Sequence, residues 1–251
     1  MIPEWLNAGL WGLLAGSALL IGASLGYFTK ISQKWIASVM AFGSGVLISA
    51  ISFELMDEAY KSGGFDSTSI GFIAGGTVYT LINFYLSNKG AKHRKRSQKK
   101  QPSENEHEGS GLMIAIGSLI DGIPESIVIG LTLLKGGAVS TTAVVAIFIS
   151  NIPEGLSSSA GMKTAGRSAI YIFTLWAIIA LASGAASAIG YSAFQNFSAD
   201  VVAATTAIAA GAMIVMIVST MIPEAFEEVH SLIGLITLLG FLISFILSKL
   251  E

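Results

Sequence analysis

Apolar residues run through this chain in long stretches separated by short polar links. Eight such runs stand out, near 5–28, 33–58, 69–87, 111–134, 138–161, 168–192, 201–226 and 229–249. A helix needs about 20 apolar residues to cross a hydrocarbon layer roughly 30 Å thick, and each run is close to or above that length. The short links predict antiparallel neighbours in a compact bundle. The expected fold is therefore an all-α integral membrane protein of eight transmembrane helices, a single transmembrane domain over 1–251. Patterns such as Gly71-x-x-x-Gly75 and Gly184-x-x-x-Ala188 predict close backbone approach between helices.

One link breaks the pattern. Residues 88–110 are polar throughout, basic in the first half and acidic in the second. A segment without an apolar face cannot bury enough surface to order itself, so a disordered loop is expected there. Its two histidines, His93 and His107, read as incidental to a solvated connector. Lys30, Lys34, the basic half of 88–110, Lys163 and Arg167 fall on one side of the expected bundle; only Lys61, Lys135 and Lys249 fall on the other. Positive charge accumulates on the cytoplasmic side, which places the 88–110 loop in the cytoplasm and both termini outside it. The basic run reads as a topology signal with some affinity for anionic lipid and implies no nucleic-acid partner. The opening Met1-Ile2-Pro3-Glu4 has neither the basic start nor the small-residue cleavage pattern of a signal peptide, so the first run is expected to be retained.

Composition agrees with the pattern. The chain is 53% hydrophobic and only 12% charged, about half the charge of a soluble domain. The formal net charge of −2 averages a basic loop with acids in the spans. With no cysteine, disulfides, thiolate metal sites and cysteine nucleophiles are excluded. The three histidines lie outside the span interiors and no His-Glu-x-x-His motif occurs, so no metalloprotease or other enzyme is expected.

The informative positions are polar residues inside the apolar runs. The fourth run contains Asp121-Gly122-Ile123-Pro124-Glu125-Ser126, and the fifth contains Ser150-Asn151-Ile152-Pro153-Glu154-Gly155. Asp121 and Glu125 are four apart and share a helix face, as do Ser150 and Glu154. Proline cannot donate its nitrogen, so Pro124 frees the Ile120 carbonyl and Pro153 that of Ile149. Each helix thus offers a carboxylate, a second polar side chain and a freed carbonyl at similar depth. No Lys or Arg lies within these spans, and acids in hydrocarbon must be protonated, hydrated or ligated by a cation. Three carboxylates suit a divalent cation better than an organic solute. Glu54, with Asp57 and Glu58 at the rim, reads equally as an outer entrance or a wet helix end; Glu224, after Pro223, reads equally as an inner exit or another wet end.

These residues resemble the ZIP (Zrt-, Irt-like protein) metal transporters, which carry paired Pro-Glu motifs on their fourth and fifth helices and a long polar loop between the third and fourth. The resemblance implies two inverted three-helix repeats, helices 1–3 and 6–8, around helices 4 and 5. It also implies movement of Zn²⁺, Fe²⁺ or Mn²⁺ into the cytoplasm; the small size and bare termini fit a plasma (inner) membrane. Family members carry His-Asn-x-Pro-Glu-Gly on helix 4 and a polar-Asp-x-Pro-Glu-Gly version on helix 5. Here Glu125 and Glu154 fall on the motif glutamates, Asp121 on the histidine ligand, and Asn151 on the aspartate; Gly122 and Ser126 replace the motif asparagine and glycine. The implied metal ligands are Asp121, Glu125, Asn151 and Glu154. The 168–192 run has no acid, so a single metal site is expected. An all-oxygen set favours harder ions than imidazole does. Divalent metal is expected as substrate, with no cofactor, and the lipid bilayer as surroundings; a homodimer is left open. The competing reading is a proton-coupled carrier or channel for another solute using the same acids.

Overall fold

The computed structural model describes residues 2–91, 94, 95, 101, 110–136 and 139–250. The described residues are helical nearly throughout: α1 (Glu4–Phe28), α2 (Gln33–Ala50), α3 (Asp57–Leu86), α4 (Ser110–Gly136), α5 (Thr141–Thr164), α6 (Ala169–Phe194), α7 (Ala199–Met216), α8 (Ile222–Val229) and α9 (Ile233–Leu250). Serine side chains cap three of them. Ser32, Ser140 and Ser168 each accept a hydrogen bond from a backbone N–H three residues on, satisfying a donor that the first helical turn leaves orphaned.

Six helical stretches are long and apolar enough to cross a membrane. Two of them, Gln33–Lys89 and Ala199–Leu250, run for 57 and 52 residues, at about 1.5 Å rise per residue far more than one crossing needs. Each is interrupted, the first within the predicted 59–68 link and the second just past the predicted 227–228 link. Gly64 has φ +69° and ψ −171°, a conformation essentially restricted to glycine, and His230 has φ +37°. Each long stretch also contains a turn of π-helix, at Ile51–Met56 and Ile217–Met221. The second ends just ahead of Pro223, whose missing N–H cannot close a regular turn onto Ser219.

The outer helix faces are apolar. Large apolar side chains point outward, among them Ile73, Leu81 and Phe84 of α3, Leu181 and Ile189 of α6, and Leu235 and Leu242 of α9. Water would not tolerate so much exposed apolar surface, whereas lipid does. The interior mixes large side chains such as Leu47, Ile51, Ile129 and Trp176 with many glycines, alanines and serines, and the small residues let backbones meet.

The helix contacts fall into matched sets. Helix α1 packs on α5 as α6 packs on α4, and α3 packs on α7 as α9 packs on α2. The glycines at the crossings match too. A Cβ added to Gly75 would strike the Ile208 carbonyl of α7, and one on Gly240 would strike that of Phe42 in α2. Reciprocally, Gly211 lies on the Phe72 carbonyl and Gly45 on that of Thr237. At the inner crossings, Gly155 and Gly22 press on Leu19 and Ile152, while Gly130 and Gly190 press on Ser187 and Ile127. In every pair, each glycine lies three residues from the carbonyl that its partner helix presses upon.

Candidate functional site

Helices α4 and α5 carry the acids to the middle of this bundle. Asp121, Glu125, Ser150, Asn151 and Glu154 are all buried, and both helices continue through their prolines. The Asn151 amide donates to the Ala15 carbonyl of α1 at 3.0 Å, which fixes the side chain and leaves its oxygen as the acceptor it can offer. The two glutamates are not equivalent in the packing. Glu154 directly precedes its crossing glycine, Gly155, whereas Glu125 lies five residues before Gly130. Relative to the matched crossings, they are one helical turn out of step.

The expectation that these acids lack a basic partner is corrected. Arg94 and Lys95, from the segment between α3 and α4, are buried at 2% and 3% exposure. Arg94 makes a two-pronged contact with Asp121, Nε to Oδ2 at 2.9 Å and Nη2 to Oδ1 at 2.9 Å. Tyr79 donates its hydroxyl to the same Asp121 Oδ1 and accepts from Arg94 Nη2 at 3.0 Å; Nη1 reaches Asn83 Oδ1 at 3.0 Å. Lys95 Nζ stands between two carboxylates, 2.7 Å from Glu154 Oε2 and 3.2 Å from Asp121 Oδ2. Burial works against the Lys95 charge, but the Asp121 and Glu154 carboxylates outweigh it and hold the ammonium above the ordinary lysine range.

The backbone of this dipeptide is fastened to α5. Ser157 donates its hydroxyl to the Lys95 carbonyl. Gln101 Nε2 donates both to the Arg94 carbonyl and to that of Ser158, each at 3.1 Å. Gly117, one turn before Asp121, makes room for the arginine: an added Cβ would come 2.6 Å from Arg94 Cδ. Of the expected loop, then, Arg94, Lys95 and Gln101 are buried in the bundle, while His93 and His107 lie outside the described residues.

Asp121 and Glu154 therefore meet about a lysine ammonium, and Glu125 is within electrostatic reach of Glu154, Lys95 and Asp121. Among the described residues no three His, Asp or Glu side chains are gathered closely enough to enclose an ion. The outlying acids find neighbours on α5. Ser140 at its start donates to Glu54 Oε2 at 3.5 Å, and the Ser157 hydroxyl, one turn beyond Glu154 and donated to the Lys95 carbonyl, lies 3.5 Å from Glu224 Oε1. Glu54 lies within the first π turn and Glu224 just after the second, a placement that hydrophobic runs do not disclose.

Long apolar helices with large apolar side chains on their outer faces and a charged cluster buried between them define a multi-pass membrane protein. No protein-family model matches the chain. It is 24% identical over 225 residues, 88% of its length, to an Arabidopsis thaliana protein named "Putative zinc transporter". The chain spans about a third of that protein's length, the matched part being 35% of it.

Proposed function

We propose that this chain is a membrane transporter, not an enzyme, and that it carries a divalent metal ion, zinc or also iron or manganese, through a site of Asp121, Glu125, Asn151 and Glu154. The observation that carries the reading is the cation already held between Asp121 and Glu154 in the bundle interior. A protein rarely buries carboxylates at membrane depth without a functional need, and a pair that accommodates an ammonium presents the charge and oxygen donors that a hard or borderline metal ion takes. The similarity to the plant protein supports metal as the cargo.

Eight crossings and two inverted repeats fit the same reading. The interruptions at Gly64 and His230 divide the two longest stretches, and the matched crossings exchange α1 with α6, α2 with α7, α3 with α9 and α4 with α5. Rocking of the paired outer helices around α4 and α5 would expose the site alternately to either side. Uptake runs towards the face that carries 88–110, with both termini on the opposite face of a plasma membrane.

Purified protein in vesicles of known orientation tests this. Labelled Zn²⁺ is expected to move towards the 88–110 face, with Mn²⁺ and Fe²⁺ competing because no imidazole stands in the ligand set. Glu125→Ala is expected to lower the flux at least tenfold at equal protein per vesicle. Flux of Zn²⁺ that ignores both competitors would contradict the broad selectivity, and unchanged flux in Glu125→Ala would remove that residue from the site.

A further inference from the structure

We propose that Lys95 is a tethered competitor of the transported cation: its ammonium occupies the cation position between Asp121 and Glu154 in the metal-free protein, and a divalent ion enters by displacing it. The inference rests on the metal-transport reading above and assigns to a residue outside α4 and α5 the setting of the site's apparent affinity.

Three observations carry it. Lys95 Nζ contacts carboxylate oxygens from two helices at 2.7 and 3.2 Å, so it sits where those carboxylates converge. Its neighbour Arg94 binds Asp121 from another direction, with Tyr79 and Asn83 sharing the guanidinium. The dipeptide is seated, not merely nearby, because Ser157 and Gln101 bind its two carbonyls. Buried carboxylates left without a cation are costly to hold charged. A basic side chain on a connecting segment solves that problem between metal ions, and because the cation is covalently attached it competes at a high effective concentration. Glu125, one turn along α4 from Asp121, makes no such ion pair among the described residues. It is the carboxylate that an arriving metal can engage before Lys95 leaves Glu154. The two bound cations thus differ in role: the Arg94 guanidinium is locked by four hydrogen bonds to Asp121, Tyr79 and Asn83, whereas Lys95 is held by ion pairs that a divalent charge can replace.

The test uses the full chain with Lys95→Met and Lys95→Arg, and measures Zn²⁺ and Mn²⁺ binding, vesicle flux and thermal stability with and without metal. Lys95→Met is expected to bind metal about tenfold or more tightly than the parent. It is also expected to lose stability without metal and to regain it, by a larger Tm shift than the parent shows, when metal is added. Lys95→Arg, which keeps a cation there, is expected to stay within about threefold of the parent affinity. A second readout needs no variant: amine labelling of Lys95 is expected to rise when metal is added, while labelling of exposed Lys61 stays constant. Equal or weaker metal binding in a folded Lys95→Met, or Lys95 labelling that metal does not change, overturns the competitor role while leaving metal transport intact. Absence of binding and flux in the parent and in Lys95→Met alike overturns both readings.

Discussion

Replacing Glu154 with alanine is expected to reduce metal flux to background and to destabilise the protein. Two effects combine. The substitution removes a carboxylate from the transport site, and it leaves the Lys95 ammonium, now 2.7 Å from Glu154 Oε2, without its nearest counter-charge. Breaking a buried ion pair by removing one partner costs about 3–5 kcal/mol. Because Lys95 retains Asp121 at 3.2 Å, the lower end of that range is expected. Glu154→Gln separates the effects: it keeps the shape and a hydrogen-bond acceptor for Lys95, so stability should recover in part while flux does not. Thermal unfolding in detergent, beside flux in vesicles, reads both. A Glu154→Ala protein that transports at the parental rate would remove Glu154 from the transport site.

Gly155→Val is expected to do comparable damage by a different route. Gly155 presses on the Leu19 carbonyl and Gly22 on that of Ile152, so α1 and α5 cross with their backbones in contact. A branched side chain at 155 has backbone in its way, which cannot rotate aside as a side chain would, and overpacking of this kind costs about 1–3 kcal/mol or more. The site shares the interface, since Asn151 is anchored to Ala15 on α1 and Glu154 precedes the altered residue. Lower folded yield and a lower Tm are expected, with flux per folded molecule also reduced. The matching position on the other side of the bundle, Gly130 against Ser187, provides a comparison: Gly130→Val should destabilise to a similar degree while displacing Glu125 less, because that glutamate lies five residues away.

Much of this organisation was legible in the sequence. The helical stretches fall on the apolar runs because long hydrophobic segments leave the backbone no alternative to helix in lipid. Gly64 falls in the link between runs two and three, whereas His230 falls just past the link between runs seven and eight, inside the eighth run. Burial of Asp121, Glu125, Asn151 and Glu154 followed from their positions midway along apolar runs. Three features were not legible. The π turns at Ile51–Met56 and Ile217–Met221 have no hydrophobic period of their own, and only Pro223 hints at the second. The matched glycine crossings are scattered among 28 glycines, and which of them touch is a property of the packed bundle.

The third is the insertion of Arg94 and Lys95. In sequence they belong to a run of basic residues, Lys92-His93-Arg94-Lys95-Arg96, in which no position is distinguished by spacing or pattern. Composition made the whole run look solvated. One signal was available, a mismatch of charge: acids without partners inside the spans, next to a basic segment at the end of α3. A buried acid that stays charged needs a nearby cation, and the nearest supply along the chain was that segment.

The central claim is that Glu125 and Glu154 hold the transported metal. Crystals of the protein soaked in Zn²⁺ or Mn²⁺, measured at the absorption edge of each metal, test it most directly because ion identity and ligands are read together. The expected result is an anomalous peak between α4 and α5, with carboxylate oxygens of Glu125 and Glu154 at about 2.0–2.2 Å from zinc and the Lys95 side chain withdrawn from its position beside Glu154. Metal peaks confined to surface residues, with Lys95 still seated between Asp121 and Glu154 in crystals of transport-competent protein, would contradict it.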